Sequence, residues 1–528
     1  MTSDDLDYKV VIPVAGVGSR LGDRCNHINK ALVSIAHKPI ICYIIEKFQK
    51  DVPIIIILGY KGDSVQEFLK MAYPERRFVF HRVDPEDGPA SGLGNALLSV
   101  EDHLQCPFIF FTNDAIIEEE VPIPDHNWIG YSLTPAGMDY RAIVLDSWAR
   151  TGKNDVAKQI SEKRVHPENP SYIGVCGISD YKAFWAKMGD KQAKQAGEAY
   201  AADQMMQDGH GFSAKKFKWY DTGTIEALEH TDCAFKKKSD PHILQKQDEH
   251  IWFCRQRVIK FSVDRDFIAK RIRRGRDLYP YTPQVLSGGV HMYSYHKAEG
   301  TILSKKVDIA VFRKFMEFMR TFWGKQTPNT TEFFDRCMTF YKDKTYKRVE
   351  EYFQRFGIQD CSKTINGVCV PTAFQLLRAV EWDDMARGVP VRFHGDLHFE
   401  NVIVTPDDDF VLLDWRQDFG GSMDNGDVYY DLAKILHGII VSHELINKDH
   451  FIVKQNGEIR FDLYRKQSLV ACEHYLEKFV KDNEWDWRKV RILTALIYLN
   501  IAALHHDPYC HLLFNLGKFL LHEEIYGV

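Results

Sequence analysis

Asp396 and Asn401 stand five residues apart in the stretch His394–Asn401, and Asp414 follows the apolar run Val411–Leu413. That order suits phosphoryl transfer: the first carboxylate takes the proton of an acceptor hydroxyl, and the amide and second carboxylate hold Mg2+ against the phosphates of ATP. One aspartate in a loop is usually a turn former; the ordered set is far more specific. A second phosphate-handling group lies near the other end of the chain. Ala15, Gly16, Val17, Gly18 and Ser19 follow the apolar run Lys9–Val14 and lead into Arg20, with Lys30 ten residues on. A glycine turn between a strand and a helix lets backbone N–H groups approach phosphate oxygens. Two fixed cations beside it could grip a triphosphate and stabilise charge developing on its α-phosphorus. Alone, the turn is a common structural device and Lys30 an ordinary surface lysine.

Elements must position these residues. Through residue 235 the chain alternates strand-like runs (Lys9–Val14, Pro53–Leu58, Phe78–Arg82, Phe108–Thr112) with helical ones (Ile40–Phe48, Val65–Met71, Leu93–Leu104). The alternation predicts parallel strands joined by right-handed crossovers, and the unbroken Ile/Val/Phe runs predict strands covered on both faces. The breaker-rich stretch Lys236–Pro241 reads as a linker. Beyond it, Ile251–Phe253 and Arg257–Val263 read as strands, and from Val311 the chain reads mostly helical, interrupted by strand-like Val402–Val404 and Val411–Leu413. The expected division is a domain over 1–238, a linker over 239–248, and a second domain over 249–528 with lobes meeting near residue 310.

With 528 residues, two or three domains are expected. The formal net charge of −5 gives no general case for nucleic acid or an anionic membrane. The acidic opening Met1–Tyr8 lacks leader features and no apolar run is long enough to span a bilayer. Eleven cysteines without a CxxC pair suit free thiols in a reducing cytoplasm. No membrane and no nucleic-acid partner is expected; oligomeric state is left open.

GVGSRLG…NKAL, with Thr112-Asn113-Asp114 closing a strand and Trp219–Thr224 further on, resembles the sugar-phosphate nucleotidyltransferase family over nearly all of residues 9–235. The resemblance implies that Ala15–Arg20 cradles the triphosphate, that Lys30 contacts phosphate, and that Asp114 and Asp221 hold Mg2+, whose preference is for hard oxygen ligands. It implies further that Ser91 and Gly92 meet the base and ribose, that Lys163 binds the phosphate of a sugar phosphate, and that Gly174, Gly177 and Glu198 belong to the acceptor pocket. Arg164 stands where the family has proline, Leu93 where it often has threonine, and Pro13-Val14-Ala15-Gly16 replaces the common LAAG. The fold implied is a Rossmann-like α/β domain with a mostly parallel sheet.

HGDLHFEN…LLDWR resembles the aminoglycoside phosphotransferase and choline kinase group, over about residues 250–528 and strongly from Arg392 to Leu432. This implies a bilobal, kinase-like α+β domain. Lys260 in Arg257–Phe261 matches the lysine that contacts ATP phosphates, and His291–Glu299 matches the adenine-binding hinge. No glutamate occurs between Lys260 and Glu299, so Asp264 or Asp266 would have to partner the lysine. His394 and His398 read as braces of the catalytic loop. The basic run Lys270–Arg276 reads as a solvated helix face, and the residues around His505–His511 as core or surface rather than a zinc site.

A kinase makes a phosphomonoester and a nucleotidyltransferase consumes one. Together they imply a bifunctional enzyme that phosphorylates a sugar or sugar alcohol with ATP and activates a sugar or alditol phosphate with CTP, both with Mg2+, for surface or capsular polysaccharide. The alternatives are a choline or amino-alcohol kinase with a phosphocholine-type cytidylyltransferase, or a sugar kinase with a UTP-using uridylyltransferase. From other classes come a nucleotide-binding module with one decayed half and a protein kinase-like regulator; the intact carboxylate sets and the HGD form without DFG weigh against these.

Overall fold

The computed structural model describes residues 7–83, 92–133, 140–146, 155–161, 170–237 and 246–527. They form two compact units: Met1–Arg265 with Ser287–Tyr295, and Asp266–Leu286 with His296–Val528.

The first unit is built on a nine-stranded sheet. Lys9–Val14 lies between Ile54–Leu58 and Phe108–Phe111 and is parallel to both, and Phe78–Arg82 extends this half in parallel beyond Ile54–Leu58. The helices Ile40–Ile45, Gly62–Ala72 and Leu93–Leu98 fall among these strands in the chain. Side chains alternate between two cores: Val10, Ile12, Ile54 and Ile56 enter one, Val11, Ile55 and Ile57 the other. Burial on both faces explains the unbroken apolar runs.

The expected mostly parallel sheet is mixed. Ser171–Ile178 runs antiparallel between Phe108–Phe111 and Trp128–Ser132, and Asp155–Ser161 pairs antiparallel with both Phe212–Lys216 and Ala142–Leu145. The strand–helix alternation that forces parallel pairing ends near Phe111, so the far half is free to pair the other way.

A four-stranded sheet containing Glu249–Cys254, Arg257–Ser262 and Met292–His296 follows. Trp252, Cys254, Ile259, Phe261 and Met292 join the core of the first unit. The Trp252 ring meets Phe68 edge-on at 5.1 Å, and Cys254 Sγ lies 3.7 Å from Cys42 Sγ. All eleven cysteines are free thiols.

The second unit is mainly helical. Ile309–Trp323, Lys344–Phe356, Val428–Ile440, Gln467–Asp482, Trp487–Ala502 and Tyr509–Tyr526 are its longer helices. Val428–Ile440 is apolar nearly all round and buried nearly throughout, as a central helix must be. Asp427 caps it through the Tyr429 N–H. Thr301–Ile302, Val402–Val404 and Phe410–Leu412 form a small antiparallel sheet that carries the loops bearing Asn401 and Asp414. No described helix is long and apolar enough to cross a membrane.

Candidate active sites

In the first unit, Lys9–Val14 delivers the chain into the turn Ala15–Gly18. Gly18 takes a left-handed φ of 73°, and a Cβ there would lie 3.0 Å from both Cys25 Sγ and Lys30 Cβ, so glycine is required by conformation and by space. Asn29, which sequence reasoning passed over, fastens the turn to the lysine segment. Its buried amide donates to the carbonyls of Val14 (2.8 Å) and Tyr60 (2.6 Å) and accepts from the Ala31 N–H (2.9 Å). Lys30 is thereby set beside Asp114, with Nζ 3.0 Å from Oδ2.

Asp221 comes from a distant stretch. Trp219–Asp221 pairs antiparallel with Ala115–Ile117, with Asp221 opposite Ala115, and both the N–H and the hydroxyl of Thr222 donate to the Asp114 carbonyl. The Asp221 carboxylate accepts from Tyr140 Oη (2.7 Å) and the Gly223 N–H (3.0 Å). A Cβ on Gly223 would lie 3.1 Å from Asp221 Oδ1 and 3.3 Å from an Arg20 Nη, which places Arg20 in the same group. Burial by itself would raise the Asp114 carboxyl; Lys30, the Thr112 hydroxyl and Arg20 outweigh it and hold the group ionised below its ordinary range. Arg20, Lys30, Asp114 and Asp221 therefore converge beside the glycine turn. Two carboxylates brought together by the pairing of Trp219–Asp221 with Ala115–Ile117 fit a hard divalent cation such as Mg2+.

The acceptor residues are more dispersed in role. Gly92, with φ of 86°, leads the helix Leu93–Leu98. The Leu93 side chain packs against Gly197, next to Glu198. Glu198 is buried; its Oε1 accepts from Tyr172 Oη at 3.0 Å, while its Oε2 has no partner among the described residues. Burial raises its carboxyl above the usual range. Gly177 sits mid-strand, and the Trp128 indole occupies the place a side chain would need (2.1 Å), which is a packing role. Ser91 and Lys163 lie outside the described residues.

In the second unit, Asp396 is held from several directions. Lys434 Nζ is 2.8 Å from its Oδ1, and His398 Nε2 is 3.7 Å from its Oδ2. The Asn401 amide donates to the Asp396 carbonyl (2.9 Å) and reaches Oδ2 at 3.3 Å. Burial opposes the charge on Asp396, but Lys434 and His398 prevail and keep it well below the ordinary range. Burial likewise opposes protonation of His398, yet Asp396 and Glu400 lift it to about 9, so the ring is an imidazolium at neutral pH. Burial lowers His394 to about 3, and this neutral ring bonds the Leu413 carbonyl at 2.8 Å. Both histidines brace the loop as expected.

Asp431 is the buried support that sequence reasoning left without a role. Its carboxylate accepts from the N–H groups of His394 (2.8 Å) and Gly395 (2.7 Å) and from Trp323 Nε1 (3.0 Å). Lys434 was missed as well. The signal for both was a pair of charges inside an apolar helix, where each needs a buried partner.

The Leu413 N–H donates to the Asn401 carbonyl at 2.7 Å, bringing Asp414 next to Asn401. Asp414 has a left-handed φ of 56°, and Arg271 reaches its carboxylate at 2.7 Å. The basic run Lys270–Arg276 is thus only partly a solvated face: Arg273 and Arg276 are exposed, while Arg271 and Arg274 turn inward. Arg274, 1% exposed, donates to the carbonyls of Met423, Arg416 and Phe393. Lys260 lies in Arg257–Ser262 in the first unit, and Asp266 pairs with Lys270 at 2.9 Å. Asp507, Cys510 and His511 gather near one another, where the His511 ring bonds Tyr352 Oη at 2.6 Å.

Comparisons with known proteins find similarities of two kinds. Residues 366–493, which include Asp396, Asn401 and Asp414, match the Phosphotransferase enzyme family. The chain is similar to the bifunctional protein GlmU of Methanocaldococcus jannaschii, 31% identical over 167 residues, covering 30% of this chain and 36% of that protein. It is also similar to a UTP–glucose-1-phosphate uridylyltransferase of Staphylococcus haemolyticus, 24% identical over 200 residues, covering 32% of this chain and 69% of that protein. The chain thus spans about a third of one relative's length and two thirds of the other's. Among solved structures it aligns with a UDP-glucose pyrophosphorylase complexed with UDP-glucose (18% identity, TM-score 0.37, 44% of this chain and 98% of that one). It aligns also with the CTP:phosphocholine cytidylyltransferase of Streptococcus pneumoniae (17%, TM-score 0.35, 44% and 100%). The chain joins an α/β domain similar to nucleotidyltransferases to a segment that matches the Phosphotransferase enzyme family.

Proposed function

We propose that the chain is a bifunctional transferase. Its first site joins a nucleotidyl group to a sugar or alditol phosphate, and its second phosphorylates a small hydroxylated compound with ATP. The reading rests on one observation: each unit gathers its own complete set, Arg20, Lys30, Asp114 and Asp221 in one, Asp396, Asn401 and Asp414 in the other.

At the first site a phosphate oxygen of the acceptor attacks the α-phosphorus of the nucleoside triphosphate in line, and pyrophosphate leaves. The nucleophile is already anionic, so alignment and neutralisation suffice. Arg20 and Lys30 supply fixed positive charge, and the turn Ala15–Gly18 supplies backbone N–H groups. Asp114 and Asp221 would hold Mg2+, which neutralises the triphosphate. Glu198, with one oxygen unpartnered among the described residues, suits an acceptor hydroxyl.

At the second site Asp396 accepts the proton of the acceptor hydroxyl as its oxygen attacks the γ-phosphorus and ADP departs. His398 and Lys434 keep the carboxylate ionised and oriented. Asn401 and Asp414 would hold Mg2+. CTP is the nucleotide we assign to the first site, because a kinase fused to a cytidylyltransferase would activate an alditol in two steps toward surface polysaccharide. The names of the uridylyltransferase relatives favour UTP as the second reading.

Incubating the full chain with CTP or UTP, and separately with ATP, against sugars, alditols, choline and their phosphates tests both halves. Pyrophosphate release with an alditol phosphate and CTP, and ADP release with an alditol and ATP, are expected. Nucleotide binding without either turnover would reduce the protein to a binding module.

A further inference from the structure

Around Asp396 the second unit carries more positive charge than phosphoryl transfer accounts for. Lys344 heads the helix Lys344–Phe356, directly after the π-helical turn Thr339–Asp343. Such turns concentrate at functional sites because they re-aim the side chains that follow. Lys344 Nζ lies 4.3 Å from the centroid of the Phe340 ring and 5.7 Å from that of Tyr430. The Arg416 guanidinium lies 4.9 Å from the same Phe340 ring. Phe340 and Tyr430 meet edge-on at 4.8 Å, and Tyr430 is one helical turn before Lys434, the lysine on Asp396. Arg416 packs on the backbone of Gly395, where a Cβ would fall 2.6 Å from the Arg416 Cβ. Phe340 and Tyr430 thus hold Lys344, Phe340 also holds Arg416, and Lys434, one turn beyond Tyr430, pairs with the proton-accepting carboxylate.

The charges do not cancel. Lys434 is matched by Asp396, His398 by Glu400, and Arg348, one turn beyond Lys344, by Glu351. Among the described residues, neither Lys344 nor Arg416 has a carboxylate within ion-pair distance, and Arg416 Nε is buried without a partner. Burial and the charges of Arg416, Lys434 and Arg348 push Lys344 well below the ordinary lysine range and toward its neutral amine, and an anion bound beside it would restore the proton. An ammonium acceptor would meet repulsion here.

We infer that the acceptor of phosphoryl transfer carries its own anion, a carboxylate or a phosphate monoester, which Lys344 and Arg416 bind while Asp396 takes the proton of a hydroxyl on the same molecule. This rests on the kinase reading above and narrows its substrate class. The acceptor oxygen forms the bond to the γ-phosphorus, the bond from that phosphorus to the β–γ bridging oxygen breaks, ADP leaves, and the proton moves to Asp396. Choline and aminoglycosides are thereby excluded as preferred acceptors.

The test uses the full chain with Mg2+ and γ-labelled ATP, and four acceptors: D-ribitol, D-ribonate, D-ribitol 5-phosphate and choline. At least one anionic acceptor should exceed ribitol about tenfold or more in kcat/KM, and the member that does so distinguishes carboxylate from phosphate. Lys344→Met and Arg416→Met should each cut that preference about tenfold through the acceptor KM, with the KM for ATP within about twofold. Lys344→Arg, which keeps the charge, should retain the preference and serves if Lys344→Met does not fold. Equal or better turnover of ribitol or choline overturns the inference and leaves the kinase reading standing. A raised KM for ATP with unchanged acceptor preference assigns the cations to the nucleotide and overturns it too. No label on any of the four acceptors counts against the kinase reading and this inference together.

Discussion

Asp396 owes its chemistry to two neighbours that titrate on either side of neutrality. Burial raises the Asp431 carboxyl to about 6, against the N–H groups of His394 and Gly395 that favour its charge. Below that pH it is protonated and gives up acceptor capacity that both N–H groups use. His398 stays charged up to about 9. Phosphoryl transfer should therefore follow a bell, falling below about pH 6 and above about pH 9, although Asp396 itself remains ionised throughout. The sign for stability follows the same shifts. His398, raised above its unfolded value, adds stability that is full below about 6.5 and lost as pH rises through about 9. The depressed Glu400 adds stability above about 4.5 that is lost as pH falls through about 2. Rate profiles of Asp431→Asn should lack the acid limb, and an unchanged limb would remove Asp431 from this role. Asp396→Asn should lose turnover yet bind Mg-ATP, whereas Asp414→Ala should lose turnover and weaken Mg-ATP binding in calorimetry, since its carboxylate would hold the metal. The candidate carboxylates Asp396 and Asp414 were proposed from their spacing. Their supports were not, because Asp431, Lys434 and Asn29 gain meaning only from backbone groups distant in the chain.

Elements, more than loops, set the spacing within each site. Asn29 joins the end of the strand Lys9–Val14, the loop at Tyr60 and the turn at Lys30 through three hydrogen bonds. Asn29→Ala should cost about 2–4 kcal/mol, from lost bonds and the groups left unpaired, and should raise the nucleotide KM of the first site without touching the second. Thermal melting with both assays checks it; loss of both activities in a folded variant would contradict it. The apolar runs Pro53–Leu58 and Val402–Val404 declared their strands because their burial is dictated locally. The antiparallel half of the first sheet did not. Ser171–Ile178 is set by partners on strands far away, and its Gly177 reads as a pocket residue until Trp128 is seen filling the space. The basic run Lys270–Arg276 was partly misread for the same reason: nothing local reveals that Arg271 and Arg274 turn toward Asp414 and the Phe393 carbonyl.

The molecule as a whole places the two candidate residue sets in two compact units. The strands from Glu249 to Ser262 share the first unit's core, which no periodicity in the sequence foretold. Trp252→Ala, which removes a fully buried ring, should destabilise that unit by about 3–5 kcal/mol; differential scanning should show its melting shifted down, and an unmoved transition would deny the shared core. The central claim is that the two transfers are chemically autonomous. It is tested most directly by giving the full chain γ-labelled ATP, CTP and an accepted alditol or sugar, then separating the products. The wild type should place the ATP-derived phosphate in a nucleoside diphosphate-linked product. Asp396→Asn should place none there, yet form that product at near wild-type rate when the phosphorylated acceptor is supplied ready-made. Asp114→Ala and Asp221→Ala should accumulate the labelled phosphomonoester and release no pyrophosphate. Loss of both transfers on changing any one of these carboxylates would contradict two autonomous sites.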